Sequence, residues 1–122
     1  MKWADIPSSN DPSALLVWAL MFAIENPSNS TAKNILEMFV VGGEIGGDPG
    51  WEISHYINDY GSEIFEVWVD PRVSGLEQSN HYYDATFVRK ITGEVLDAFI
   101  RANPNKCSEL KRLRDQCILQ PI

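Results

Sequence analysis

WEISHYINDYGSEIFEVWVD, residues 51–70, fits a helix under one period and a hairpin under another. Ile53, Tyr56, Ile57 and Tyr60 fall at i, i+3, i+4 and i+7, along one side of a helix. Asn58-Asp59-Tyr60-Gly61 is also a good type I turn, with glycine taking the left-handed position that closes a hairpin. Folding about that turn sets Trp51 against Val69, Ile53 against Val67 and His55 against Phe65. The opposite face receives Glu52 with Trp68, Ser54 with Glu66 and Tyr56 with Ile64. One face is then apolar and the other mixes carboxylates with aromatics, as a half-buried hairpin requires. The helical alternative leaves SEIFEVWV without a partner strand. The hairpin is the reading taken.

Upstream of it, Asn10-Asp11-Pro12 offers a capping side chain and a proline for the first turn of a helix. The run ALLVWALMFAI, Ala14 to Ile24, is apolar on every face, so this helix is expected at the centre of the molecule. Glu25-Asn26-Pro27 ends it. A second helix is expected from about Ser30 and Thr31, with Ile35, Leu36, Met38, Phe39 and Val40 along one side, stopped by Gly42 and Gly43. The segment VVGGEIGGDPG, residues 40–50, holds five glycines. A phosphate cradle wants a strand before such glycines, a helix after them, and a lysine or helix N-terminus aimed at the anion. Here a helix is expected before and a strand after, and Glu44 and Asp48 would repel phosphate. The segment reads as a helix C-cap and a flexible turn.

Downstream, Pro71 to Asn80 reads as a polar loop. From a cap at Asp84, Val88, Ile91, Val95, Ala98 and Phe99 repeat at helical spacing to about Ala102. Gly93 weakens that helix by roughly 1 kcal/mol relative to alanine. After Asn103-Pro104-Asn105 a short basic helix is expected, with Leu110, Leu113 and Cys117 inward. The fold expected is α+β: about four helices packed on a small antiparallel β-hairpin or sheet, in one globular domain spanning 1–122.

Composition excludes several functions. A content of 44% hydrophobic residues with four tryptophans argues for a folded core. A formal charge of −7 argues against direct nucleic-acid binding, which needs lysine and arginine in excess. The longest apolar run is too short to span a bilayer, and the start MKWADIPSSN has no apolar h-region. Cys107 and Cys117 lie ten apart in an expected helix, roughly 15 Å along its axis, beyond disulfide reach. A reduced, cytoplasmic protein is expected, and the sequon Asn29-Ser30-Thr31 carries no meaning there.

No catalytic, cofactor or metal site is expected. His55 and His81 have no HxxxH or HExxH spacing, and His55 faces the core beside Phe65 on the hairpin register. His81, in the loop SNHYYD, could work with Asp84 as an acid–base pair, and a small hydrolase built on them, or a metal-dependent one, is the rival class. Cys117 reads as a core position. Asp48, Glu52 and Asp59 do not reproduce the alternating ligands of an EF-hand.

Charge distribution is the positive signal. Between Lys33 and Arg72 there is no basic residue, yet there are eight acids: Glu37, Glu44, Asp48, Glu52, Asp59, Glu63, Glu66 and Asp70. From Ala85 onward the balance reverses, with seven basic residues against four acids. Acids scattered over a solvated surface are the plain alternative. Against it stands the aromatic company of Tyr56 and Trp68, since aromatics framed by carboxylates suit an interface with a basic protein. The partner-binding set expected is Glu44, Asp48, Glu52, Tyr56, Asp59, Glu63, Glu66, Trp68 and Asp70. In size, charge, lack of catalytic residues and the aromatic-acidic stretch EIFEVWVD, the chain resembles the small acidic immunity proteins of bacterial toxin–immunity systems, including those of contact-dependent growth inhibition. The resemblance implies a non-enzymatic inhibitor of a cognate basic toxin, often a nuclease. A scaffold that self-associates through the outer hairpin face is a third class.

Overall fold

The computed structural model describes residues 11–25, 42–47, 50–76 and 79–103, with Lys111, Arg112 and Asp115. In chain order the elements are α1 (Ala14–Glu25), β1 (Gly43–Gly47), β2 (Trp51–Ile57), β3 (Glu63–Val69), the single-turn α2 (Pro71–Ser74), β4 (Asn80–Asp84) and α3 (Ala85–Ala102). The four strands form one antiparallel sheet in the order β1-β2-β3-β4.

The central hairpin has the register expected from its alternation: Trp51 opposes Val69, Ile53 opposes Val67 and His55 opposes Phe65. Its turn closes with the Gly61 amide donating to the Asn58 carbonyl at 3.0 Å, and Gly61 takes the left-handed conformation at φ 80°. The Asn58 side chain accepts from the amides of Tyr60 and Ser62 at 2.9 and 3.0 Å, so asparagine satisfies the loop's inward donors.

Both edges of the sheet depart from expectation. The glycine-rich segment does not run directly from a helix cap into a turn: Gly43–Gly47 pairs along β2, with Ile45 opposite Ile53. The corner itself is confined to Gly47–Gly50, where the Gly50 amide donates to the Gly47 carbonyl at 3.0 Å. Glycine at 46 is sterically required, because a Cβ there would stand 2.7 Å from the Trp51 carbonyl oxygen. On the other edge, residues 80–84 form a strand, with Tyr83 opposite Phe65 and His81 opposite Val67. Within the expected polar loop, Asp70 caps the single turn α2 by accepting from the Arg72 amide at 2.9 Å.

Two long helices, not the four expected, pack against this sheet among the described residues, and the sheet has four strands. The sheet gains its edge strands from residues 43–47 and 80–84, read as turn and loop, whose backbone groups pair along the two sides of the hairpin. The helix expected from about Ser30 lies outside the described residues, as do Cys107, Leu110, Leu113 and Cys117. Of the expected basic helix, Lys111, Arg112 and Asp115 are described, each helical and exposed.

Helix α1 is central, as its all-round apolarity predicts. Leu15, Leu16, Val17, Ala19, Leu20, Met21, Ala23 and Ile24 are buried, with Trp18 and Phe22 packed at the margin. Its start is fixed by Asp11, whose carboxylate accepts from the amide and hydroxyl of Ser13 at 2.9 and 2.7 Å. Those bonds, the backbone one first, hold the Asp11 carboxyl below its ordinary value. Helix α3 is capped by Asp84, which accepts from the Phe87 amide at 2.8 Å. Its buried stripe runs through Val88, Thr92, Gly93, Val95 and Leu96, whereas Ile91, Ala98 and Phe99 are half-buried. The helix is thus rotated slightly from the expected face. Both helices lie on the side of the sheet that carries Trp51, Ile53, Phe65, Val67, Val69 and Tyr83. Neither long helix lies on the other side of the sheet.

Candidate protein-binding face

Strand alternation sends Glu44 and Gly46 of β1, Glu52, Ser54 and Tyr56 of β2, Ile64, Glu66 and Trp68 of β3, and Asn80, Tyr82 and Asp84 of β4 away from the helices. Register arranges them in rows across the strands. One row reads Gly46, Glu52, Trp68, Asn80; the next reads Glu44, Ser54, Glu66, Tyr82; the third brings Tyr56, Ile64 and Asp84 together. Directly opposed Cβ atoms in such rows are roughly 5 Å apart, so these side chains form one surface.

Glu66 is its centre. Tyr82 and Ser54 flank it across the strands, Trp68 and Ile64 along its own, and Tyr56 lies on the diagonal. Asn80 Nδ2 donates to Glu66 Oε2 at 3.4 Å, and Ser54 Oγ donates to Glu52 Oε1 at 3.2 Å, which orients both carboxylates. The Tyr56 hydroxyl titrates above its ordinary value, through burial first and then through Tyr82 and Glu66, consistent with that close packing. Trp68 is 39% exposed, Tyr56 40% and Tyr82 56%, high values for such large side chains on a sheet face. Gly50, at φ 125°, borders this face, and a Cβ there would stand 3.1 Å from Asp70 Cβ and in ordinary contact with the Trp68 ring.

Among the described residues, the outward positions of the four strands include no lysine or arginine. Among the described residues no basic side chain pairs with Glu44, Glu52 or Glu66, and Asp84 is engaged as the helix cap. Among the described residues the charge on this surface is therefore negative.

Of the nine partner-binding residues expected, Glu44, Glu52, Tyr56, Glu66 and Trp68 come together here. Asp59 sits apart on the exposed hairpin turn, next to Tyr60. Glu63 points to the helix side instead, with Oε1 3.1 Å from His55 Nε2 and Oε2 3.9 Å from an Arg89 nitrogen. Asp70 is bound to Arg72 at 2.7 Å, and that contact, with the amide bond, keeps its carboxyl below the ordinary value. Asp48 lies outside the described residues. Tyr82 and Asn80 escaped the sequence account because residues 80–84 read as loop. The signal was there: a strand over NHYYD puts Tyr82 outward and Tyr83 inward.

The histidines are both structural neighbours of the core. His55 is buried, stacked on Phe65 with ring centres 4.2 Å apart, as its register predicts. His81 is not in a loop; it faces the helix side, 4.6 Å from the Tyr83 ring. Asp84 belongs to the opposite face and caps α3, so the strand separates the two groups of the acid–base pair. Among the described residues no three His, Cys, Asp or Glu side chains are grouped so as to hold a metal ion, and no helix is long and apolar enough to cross a membrane. No family model, curated protein or solved structure matches the chain.

Proposed function

We propose that the chain is an inhibitory binding module of the immunity type, which neutralises a basic toxin domain by covering its active or substrate-binding surface. The observation that carries this reading is the outer sheet face, where Glu44, Glu52 and Glu66 have no described basic partner and stand among exposed Trp68, Tyr56 and Tyr82. A nuclease is the favoured class of toxin, because its phosphate-binding groove is electropositive and takes an array of carboxylates in place of substrate. Acidic steering brings the partners together, and the aromatics then anchor the complex as water is excluded. The module needs no reaction, cofactor or metal of its own for this, works in the cytoplasm, and binds neither membrane nor nucleic acid directly.

Co-expression tests it. The chain should restore growth to cells producing a basic toxin nuclease domain, candidates being drawn from genes that adjoin its own, and Glu66→Lys should abolish that protection while leaving the fold intact. Growth restored equally by the Glu66→Lys variant would contradict the assignment of this face, and absence of any protection would contradict the inhibitor reading.

A further inference from the structure

We infer that the outer face selects arginine over lysine, with Glu66 and its aromatic frame receiving a guanidinium group from the partner. The inference rests on the proposed binding role of this face and specifies the side chain it accepts. Glu66 stands between Tyr82 across the sheet, Trp68 along its strand and Tyr56 on the diagonal. All three rings are exposed, so a ligand over the carboxylate meets an aromatic surface on more than one side. A carboxylate beside aromatic faces offers two things at once: a two-oxygen acceptor for a planar donor fork, and a π surface on which that plane can stack. A guanidinium uses both. A lysine ammonium, a compact and strongly hydrated point charge, gains the charge contact but not the planar match. Asn80 reinforces the geometry by donating to Glu66 Oε2, which holds the carboxylate in one orientation without neutralising it. Glu52, beside Trp68 in the adjoining row, is placed to take a second arginine. The described residues of the face are acidic and aromatic with no lysine or arginine among them, so charge complementarity points to a partner segment carrying arginines.

An octa-arginine and an octa-lysine peptide, equal in length and charge, provide the test by calorimetric titration against the full chain at physiological salt. Wild type should bind the arginine peptide about five- to tenfold more tightly, the margin expected of stacking plus paired hydrogen bonds over charge alone. Glu66→Gln and Trp68→Leu should each erase most of that preference, while Glu94→Gln, on the exposed side of α3, should preserve it. Retained thermal melting of each variant confirms that loss of preference is not loss of fold. Equal affinity for the two peptides, or a preference that survives both face substitutions, overturns the inference. Equal affinity that still falls in Glu66→Gln would overturn arginine selection alone and leave the acidic-face reading standing. Failure of both peptides to bind would overturn it as well, and the co-expression experiment separately decides the inhibitor role.

Discussion

Thr92 and Tyr83 show how single buried polar groups contribute with opposite sign. Thr92 is fully buried on α3, and its hydroxyl finds no hydrogen-bond partner among the described residues. A buried hydroxyl left unpaired costs about 1–3 kcal/mol, whereas an apolar group of the same shape costs nothing of that kind. Thr92→Val keeps the shape and a similar helix propensity. It should therefore raise stability by about 1 kcal/mol, read as a higher urea midpoint at unchanged slope. A lower midpoint would mean that the hydroxyl is satisfied in solution. Tyr83, by contrast, donates to the Pro12 carbonyl at 2.6 Å and ties β4 to the start of α1. Burial, the largest influence, pushes its hydroxyl up from 10.0 to about 12, against the lowering effect of the Leu16 backbone. Because the native value lies above the unfolded one, the tyrosine's contribution is complete below about pH 10 and is lost as pH rises through about 12. Tyr83→Phe should cost about 1 kcal/mol at neutral pH. It should also flatten the fall of stability between those two pH values, which a pH series of denaturant titrations reads directly.

At the scale of elements, the sequence was legible where side chains alternate and opaque where they do not. The hairpin was readable because Ile53, Val67 and Phe65 on one face, against Glu52, Glu66 and Trp68 on the other, leave one register that separates apolar from polar. Helix α1 was readable because apolar side chains on all sides demand a central position. Strand β1 was hidden by Gly43, Gly46 and Gly47, which lack strand propensity, although Gly46 meets the neighbouring backbone closely. Strand β4 was hidden by its length and by the adjacent tyrosines, which blur a period of two. Five of the residues expected to bind a partner therefore share the outer face with Tyr82, which the loop reading of 80–84 left out, while Glu63 lies on the helix side. Glycine at 46 makes the point testable. Gly46→Ala forces a Cβ to within 2.7 Å of the Trp51 carbonyl oxygen, so the edge strand must shift. A loss of about 1–3 kcal/mol is expected, with faster amide exchange along β1 and β2 than in α3. An unchanged melting temperature would argue that β1 does not pair in this register.

For the whole molecule, the decisive features are a net charge of −7 and a sheet with its two long helices on one side. The helix-covered side supplies the described core, while Trp68, Tyr56 and Tyr82 on the other side stay exposed. Association with a basic partner should accordingly be fast at low salt and slow as salt rises, because the reach of the acidic field shrinks to about 8 Å at physiological ionic strength. Stopped-flow rates that ignore salt would separate binding from charge. The most direct test of the central claim, that the outer sheet face is the binding surface, is the dissociation constant of the partner complex for four variants. Glu66→Lys and Trp68→Ala should each weaken binding by about thirtyfold or more, as truncation or reversal at the centre of an interface does. Glu94→Lys, on α3, and Arg112→Glu, among the basic C-terminal residues, should change it by less than about threefold, as substitutions outside an interface do. Affinity that ignores both face substitutions and collapses with Arg112→Glu would place the interface elsewhere on the molecule and contradict the account.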